Sequence, residues 1–152
     1  MEDDQLRLDQ QVCFPLYAAS NILTRLYRPL LTELGLTYSQ YLVMLCLWEQ
    51  HPLTVGQLGR TLYLDTGTLT PLLKRLEQNG LILRRRSEDD ERRVVVELTE
   101  AGLALKPRAR RIPEAMLCRL ELSGDDIARL RADLQRLVAA LSEVDPRSSG
   151  TD

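Results

Sequence analysis

Cys13 is the residue of this sequence whose surroundings most favour covalent chemistry. Pro15 predicts the first turn of a helix, because proline is accommodated there and resisted further in, so Cys13 would lie at a helix N-terminus. Backbone N–H groups and the positive end of the helix dipole stabilise a thiolate at such a position and make a cysteine reactive. The alternative is that Cys13 is a small hydrophobic residue packed beside Val12 and Phe14.

A set of tyrosines on the same helix as Cys13 and on the next helix strengthens the chemical interpretation. Tyr17 lies one helical turn beyond it, Tyr27 lies further along the same helix, and Tyr38 is expected at the start of the next helix. A phenol can donate a hydrogen bond to a thiolate or a peroxide oxygen without adding a charge. Tyrosines are also common at the rim of helical interfaces, so an interface role stays open.

The remaining cysteines do not indicate a metal site or a disulfide framework. The chain has three cysteines, an odd number, and no CxxC. Cys46 lies in the apolar run LVMLCLW and is expected in the core. The single histidine, His51, lies at no familiar zinc spacing from a cysteine, so we expect neither a metal nor a cofactor.

The segment from Leu53 to Leu98 has the order helix, turn, helix, hairpin. Thr54 and Gln57 form a capping-box pattern at the start of the first helix, and Asn79-Gly80 ends the second, LYLDTGTLTPLLKRLEQNGL. Two runs rich in Ile, Leu and Val, LILRRR and RVVVEL, flank the charged turn SEDDER and predict a hairpin. This order is typical of a winged helix-turn-helix, and therefore of a DNA-binding protein.

The second helix of this segment separates a buried stripe from an exposed face when it is projected at 100° per residue. The stripe consists of Leu69, Leu72, Leu73 and Leu76. The opposite face offers small groups, hydroxyls and cations without a carboxylate, which suits a DNA major groove. The candidate DNA-binding residues on it are Gly67, Thr68, Thr70, Pro71, Lys74 and Arg75. An ordinary amphipathic helix of a bundle is the alternative.

A local surplus of basic residues adjoins this helix. Between residues 74 and 86 the single acid Glu77 is accompanied by Lys74, Arg75, Arg84, Arg85 and Arg86. The hairpin turn adds Arg92 and Arg93, and Asp90 can pair with Arg92 and hold it at the tip for insertion into a minor groove. A solvated hairpin would carry the same charges, so that interpretation also stays open.

Composition limits the other classes of function. The chain has 152 residues, a net charge of −2, 44% hydrophobic residues and 5% aromatic residues. These values predict one domain with leucine-rich helix packing, in which DNA binding must come from local patches rather than overall charge. No apolar run is long enough for a membrane span, and the acidic N-terminus is unlike a signal peptide. We therefore expect a cytoplasmic protein that does not bind membranes.

Helices on both sides of the central segment are expected to form a dimer. Residues 12–34 predict one long helix, and residues 99–142 predict a helix that Pro107 and Pro113 kink or divide, then a last helix capped by Ser123. A basic cluster at 106–111, made of Lys106, Arg108, Arg110 and Arg111, is expected to be a solvated face, and contact with phosphate is the alternative. The last helix has a stripe too apolar for water, made of Ile127, Leu130, Leu134, Leu137, Val138 and Leu141.

A homodimer would cover this stripe and place two recognition helices about 34–36 Å apart on DNA. A monomer in which the stripe packs on its own domain is the alternative. The expected fold is mainly α with a small β-hairpin wing: a single domain, 1–152, in which the winged helix-turn-helix of 53–98 lies between N- and C-terminal dimerisation helices. The last residues, RSSGTD, are expected to be a disordered tail.

The sequence resembles the MarR-type repressors and, among them, the organic hydroperoxide resistance regulators. The resemblance runs from Val12 to about Leu141. Asp90-Glu91-Arg92 in the wing and LTEAG after it are typical of the MarR type, and the segments closer to the hydroperoxide-sensing group are CFPLYAAS, LGLTYSQYLVMLCLWE and LYLDTGTLTPLLKRLE.

This resemblance implies roles for particular residues. Cys13 would be the peroxide-sensing cysteine, Tyr27 and Tyr38 of the partner subunit would hydrogen-bond to it, and Cys118 would be the second cysteine, which forms a disulfide across the dimer. The reduced dimer would bind an inverted-repeat operator as a repressor, and oxidation by an organic hydroperoxide would release it. Pro15 departs from the pattern of the group.

Other functions stay open beside this one. A repressor of the same fold could release DNA when a small phenolic or anionic ligand binds in the dimer cleft, and Cys13→Ser would then leave induction intact. A thiol peroxidase would consume peroxide with a reductant, but the chain has no thioredoxin-like strand pattern and no CxxC. We therefore expect a regulator rather than an enzyme.

Overall fold

The computed structural model describes residues 4–146, so the predicted tail at 147–152 lies outside the described residues. The chain divides into two compact units, Met1–Glu114 and Ala115–Asp152. After two short 3₁₀ turns, the helices are α1 (Cys13–Thr32), α2 (Tyr38–Glu49), α3 (Val55–Leu62), α4 (Thr66–Gln78), α5 (Glu100–Ala109), α6 (Arg111–Leu117) and α7 (Gly124–Val144). The strands are β1 (Leu53–Thr54), β2 (Ile82–Arg86) and β3 (Val94–Leu98).

The predicted fold class is confirmed, with one strand more than the sequence indicates. The wing is the antiparallel pair β2–β3, in which Ile82 lies opposite Leu98. β1 pairs with the other edge of β3 and gives a three-stranded antiparallel sheet of order β1-β3-β2. β1 is only two residues long, too short for the alternation that identifies a strand in a sequence.

Local capping determines where the helices of the central segment begin. The Thr54 hydroxyl accepts a hydrogen bond from the Gln57 N–H at 3.1 Å, and the Gln57 side chain accepts one from the Thr54 N–H at 2.8 Å, as predicted. The predicted second helix is corrected at its start, because Leu62 ends α3 and the turn Tyr63, Leu64 and Asp65 precedes α4. The Asp65 carboxylate accepts a hydrogen bond from the Thr68 N–H at 2.7 Å and so begins α4 at Thr66.

Glycine positions allow backbones to approach each other in the first unit. A Cβ added at Gly59 of α3 would lie 2.7 Å from the Leu64 carbonyl oxygen, and one added at Gly102 of α5 would lie 2.1 Å from the Leu81 carbonyl oxygen. Gly35 and Gly80, which follow α1 and α4, have φ of +68° and +73°. These residues close the ends of the helices as glycine commonly does.

A single hydrophobic cluster fills the first unit and includes three of the four predicted stripe leucines of α4. Leu69, Leu73 and Leu76 are fully buried, and Leu72 packs partly buried against them. Other fully buried members are Leu31, Val43, Met44, Leu47, Leu58, Ile82 and Val96. The predicted amphipathic character of α4 is therefore confirmed.

The cations of the basic cluster at 106–111 are exposed, as predicted, and two of them also bind the ends of helices. The Lys106 ammonium donates a hydrogen bond to the Trp48 carbonyl oxygen at 2.6 Å, at the C-terminal end of α2. Arg108 donates to the Glu33 carbonyl oxygen at 2.8 Å, at the end of α1. Cations in these positions satisfy the last carbonyl groups of a helix and its negative end. The predicted division of the segment is confirmed, with α5 ending at Ala109 and α6 beginning at Arg111.

The second unit contains α7, whose apolar stripe is exposed in the single chain. The Ser123 hydroxyl accepts a hydrogen bond from the Asp126 N–H at 3.1 Å, so the predicted cap is confirmed. Leu130, Leu134, Val138 and Leu141 are 39–54% exposed, and Ile127 and Leu137 are half-buried. Of the helices between residues 4 and 146, none has both the length and the hydrophobicity that a bilayer crossing requires.

Candidate DNA interface and cysteine site

The outward surface of α4 holds all the candidate DNA-binding residues of that helix. Each of them is exposed, namely Gly67, Thr68, Thr70, Pro71, Lys74 and Arg75. The helix continues through Pro71 without a break. The Thr70 hydroxyl donates a hydrogen bond to the Thr66 carbonyl oxygen at 2.8 Å, so it is left to accept rather than donate toward DNA. Within residues 4–146, no ion pair involves Lys74 or Arg75.

Two arginines of the basic surplus pair with acids: Arg84 with Glu77, which the sequence count already included, and Arg85 with Glu97, which lies outside that count. Arg84 donates three hydrogen bonds to the Glu77 carboxylate, from its backbone N–H at 3.0 Å, Nε at 3.1 Å and Nη2 at 2.7 Å. Arg85 Nη2 lies 2.6 Å from Glu97 Oε1 across the wing. These hydrogen bonds lower the pKa of both carboxylates.

The tip of the wing carries the predicted contact between Asp90 and Arg92. Asp90 Oδ1 accepts hydrogen bonds from the Arg92 N–H and Nε, each at 3.1 Å, and Arg93 Nε lies 3.6 Å from Asp90 Oδ2. The Arg92 side chain is nevertheless 91% exposed. Asp90 therefore orients the two arginines without burying them, and the hydrogen bond from Arg92 lowers the pKa of the Asp90 carboxyl.

Cys13 is the first residue of α1, as predicted, and it is exposed. Val12 before it makes no side-chain capping bond to the helix. Tyr17, one turn later, is 68% exposed. Tyr27 lies fourteen residues along α1 from Cys13, about 21 Å of helix rise, so the two do not meet within one chain. Cys118, in the second unit, is also exposed.

The structure brings Tyr27 and Tyr38 together in an aromatic cluster. Their ring centroids are 4.8 Å apart, and Tyr41 lies 6.0 Å from Tyr27 and 6.4 Å from Trp48. Burial raises the pKa of all three phenols, that of Tyr41 to about 12, so each keeps its proton and can donate it in a hydrogen bond. Tyr41 was not among the predicted site residues, although its spacing of three from Tyr38 and seven from Trp48 places them on one helix face.

Trp48 links this cluster to the start of α5. Its indole N–H donates a hydrogen bond to the Gly102 carbonyl oxygen at 2.9 Å, and its own carbonyl oxygen accepts from Lys106. The Gly102 N–H in turn donates to the Thr99 hydroxyl at 3.0 Å. The close approach of the Leu81 carbonyl oxygen to Gly102 explains the glycine in LTEAG, and the spacing of residues in the sequence does not reveal it.

Cys46 packs half-buried against the core, as predicted. Burial raises the pKa of its thiol, with a smaller contribution from the Glu49 carboxylate. In the part of the chain from 4 to 146, no group of three His, Cys, Asp or Glu residues could hold a metal ion.

Comparison with known proteins identifies the family. Residues 25–108 match the family described as transcriptional regulator SarA/Rot. The chain is 50% identical over 140 residues to the organic hydroperoxide resistance transcriptional regulator of Bacillus subtilis (strain 168), which covers 92% of this chain and 95% of that protein.

Solved structures of one relative give the same result. The structure of reduced AbfR bound to DNA has a TM-score of 0.76 and 36% identity, covering 93% of this chain and 99% of that chain. The structure of disulfide-formed AbfR has a TM-score of 0.62 and 37% identity, covering 94% and 97%. The chain therefore belongs to the MarR family of winged-helix transcriptional regulators and, within it, is similar to the organic hydroperoxide resistance regulators.

Proposed function

We propose that this protein is a homodimeric repressor that binds an inverted-repeat operator and releases it when an organic hydroperoxide oxidises Cys13. The observation that carries the proposal is an exposed cysteine at the first residue of α1 in a chain that also presents an exposed, carboxylate-free surface on α4. The relatives named for transcriptional regulation and for hydroperoxide resistance support the same pairing of functions.

The DNA-binding role rests on α4 and the wing. Lys74 and Arg75 neutralise phosphates, and Gly67 lets the backbone come close to the DNA beside Pro71. The Thr68 hydroxyl bonds base edges or phosphates, whereas Thr70, whose proton is engaged by the Thr66 carbonyl oxygen, accepts from a base-edge N–H in the major groove. Arg92, oriented by Asp90, enters the minor groove with Arg93 beside it. The DNA-bound structure of reduced AbfR supports this use of the fold.

The homodimer rests on the apolar surface of α7. Four of its aliphatic side chains are 39–54% exposed in the single chain, and in water they would favour association. A second copy that covers them would present two α4 helices to successive major grooves, about 34–36 Å apart. A two-fold symmetric operator follows from that pairing.

The sensing reaction begins with attack of the Cys13 thiolate on an oxygen of the hydroperoxide ROOH. The S–O bond forms, the O–O bond breaks, and the alkoxide takes a proton and leaves as ROH, so Cys13 becomes a sulfenic acid. Tyr27 and Tyr38 of the partner subunit, with Tyr17 on the same helix as Cys13, donate hydrogen bonds to the thiolate or the peroxide.

A disulfide with Cys118 of the partner subunit completes the oxidation. The thiol of Cys118 of the partner subunit attacks the sulfenic sulfur of Cys13. The S–S bond forms, the S–O bond breaks, and water leaves. The bond requires Cα atoms within about 7 Å, so oxidation moves backbone wherever the reduced thiols lie farther apart. The solved structure of disulfide-formed AbfR, which is 37% identical to this chain, supports a disulfide step in such a switch.

The test is operator binding before and after treatment with cumene hydroperoxide. The reduced protein would select its operator from a random-sequence duplex pool, and Cys13→Ser, Cys118→Ser and the matched control Cys46→Ser would be compared on it, with non-reducing gels. We expect oxidised wild type and Cys46→Ser to release DNA as crosslinked dimers, and Cys13→Ser to remain bound.

Other outcomes separate the alternatives. If Cys13→Ser is released as readily as wild type, thiol sensing is wrong and a ligand in the dimer cleft becomes the inducer to search for. If wild type consumes peroxide catalytically in excess of protein, the thiol peroxidase interpretation returns.

A further inference from the structure

Tyr63 occupies a backbone conformation that a bulky residue rarely adopts. It lies in the turn between α3 and α4 with φ +55° and ψ +38°, in the left-handed region. Among residues 4–146, only Tyr63 and Glu121 have positive φ without being glycine. This conformation is unfavourable for a side chain with a Cβ, because the Cβ approaches the following carbonyl oxygen.

The turn itself fixes this conformation. The N–H groups of Tyr63 and Leu64 both donate to the Gly59 carbonyl oxygen, the latter at 3.0 Å. The Leu64 carbonyl oxygen lies so close to Gly59 that a Cβ there would be at 2.7 Å. Glycine or asparagine would therefore be the less strained residue at position 63.

Burial does not compensate for this strain. Tyr63 is 63% exposed and is not part of the hydrophobic core cluster. A strained residue that contributes little packing points to a function on the surface where it lies. A contribution to folding stability therefore does not explain why position 63 is a tyrosine.

That surface adjoins the start of the recognition helix. Asp65, which caps α4, is two residues from Tyr63, and the exposed residues Gly67 and Thr68 follow in the first turn. In a helix-turn-helix the recognition helix enters the major groove by its N-terminal end while the preceding helix crosses the DNA backbone. The turn between them consequently lies beside a phosphate.

We propose that Tyr63 is a DNA-contacting residue whose phenol O–H donates a hydrogen bond to a phosphate oxygen beside the start of α4. This inference rests on the DNA-binding part of the proposed function and is independent of the cysteine chemistry. A neutral phenol fixes the register of the helix without replacing a counterion, unlike Lys74 or Arg75.

The experiment measures the affinity of the reduced protein for a duplex that wild type selects from a random-sequence pool, over a range of salt concentrations. Tyr63→Phe removes only the hydroxyl, and we expect it to bind about fivefold to tenfold more weakly with an unchanged salt slope and unfolding midpoint. Lys74→Met is the matched control, and we expect it to reduce the slope by about 0.9.

Tyr63→Gly separates function from stability. Because glycine relieves the left-handed backbone, we expect its thermal unfolding midpoint to rise by about 2–4 °C while its DNA affinity falls at least as far as that of Tyr63→Phe. If Tyr63 served folding instead, Tyr63→Gly would lower the unfolding midpoint and leave the DNA affinity unchanged.

Two results overturn the inference while leaving the proposed function intact. In the first, Tyr63→Phe binds within twofold of wild type; in the second, it binds weakly but also unfolds at a lower temperature. If wild type selects no duplex at all, the DNA-binding part of the proposed function fails instead, and the inference fails with it.

Discussion

Arg84 of the wing donates three hydrogen bonds to Glu77 of α4, at 2.7–3.1 Å, and so joins the two elements that we propose to face DNA. Two of these bonds come from the guanidinium and one from the backbone N–H of β2, so the carboxylate holds both the side chain and the strand. From its charge alone Arg84 would be a phosphate contact. In the structure it instead maintains the spacing between α4 and the wing.

Glu77→Gln is therefore expected to weaken DNA binding about threefold to tenfold, because α4 and the wing lose their fixed spacing. Glu97→Gln is the matched control, since it breaks a pair that lies within the wing and removes the same single negative charge. Equilibrium binding of both variants to one operator duplex measures the difference. Equal affinities for the two variants would contradict this role of Glu77.

Stability of the Glu77–Arg84 pair should depend on pH with a defined sign. The hydrogen bond from Arg84 lowers the pKa of Glu77 below its ordinary value of 4.5. The stabilisation is thus fully present above pH 4.5 and is lost as the pH falls through the lower value of the folded state. We expect the difference in unfolding free energy between wild type and Glu77→Gln to be constant near neutral pH and to shrink below about pH 4. Urea denaturation across this range checks it, and a difference independent of pH would be the contrary result.

Gly102→Ala should destabilise the protein severely. The added Cβ would lie 2.1 Å from the Leu81 carbonyl oxygen and 3.2 Å from the Leu98 side chain, so backbone must move. We expect a loss of more than about 3 kcal/mol in unfolding free energy, measured by thermal or urea denaturation. Gly124→Ala is the control, because nothing lies within 4 Å of its added Cβ. Similar unfolding curves for the two variants would show that α5 is not tightly packed there.

Trp48→Phe tests the same contact by a milder change. It keeps a ring against Tyr41 but removes the indole donor, which leaves the Gly102 carbonyl oxygen without its hydrogen bond. The expected cost is about 1–3 kcal/mol, because a buried acceptor is left unsatisfied. Denaturation followed by circular dichroism measures it, since Trp48 is the only tryptophan and its fluorescence is lost. An unfolding free energy equal to that of wild type would contradict the role of this hydrogen bond.

Contacts between residues close in the sequence could be predicted, and contacts between residues far apart in the sequence could not. Asp90 and Arg92 are two residues apart, and the Thr54–Gln57 box spans three, so their geometry follows from local backbone. Lys106 meets the Trp48 carbonyl across 58 residues, and no periodicity reports such a pair.

The same distinction explains the overestimated basic surface. Counting charges between 74 and 86 finds one acid, but Glu97 lies on the neighbouring strand and pairs with Arg85. Strand register, which places Glu97 opposite Leu83 and within reach of Arg85, becomes known only once the wing is folded. The exposed face of α4, by contrast, follows directly from helical periodicity and was predicted residue by residue.

Arg92 is the wing residue whose removal should affect DNA affinity most. Its side chain is 91% exposed and is oriented by Asp90, so we expect it to reach DNA with little reorganisation. We expect Arg92→Ala to weaken binding about tenfold to a hundredfold and to reduce the salt slope, because a minor-groove cation is lost. Asp90→Asn keeps the Arg92 guanidinium but removes the carboxylate charge that orients it. We therefore expect a smaller loss of DNA affinity than for Arg92→Ala, with an unchanged salt slope. Salt titrations of both variants on one operator distinguish them, and an Asp90→Asn protein that binds more tightly than wild type would show that the acid restrains Arg92 rather than presenting it.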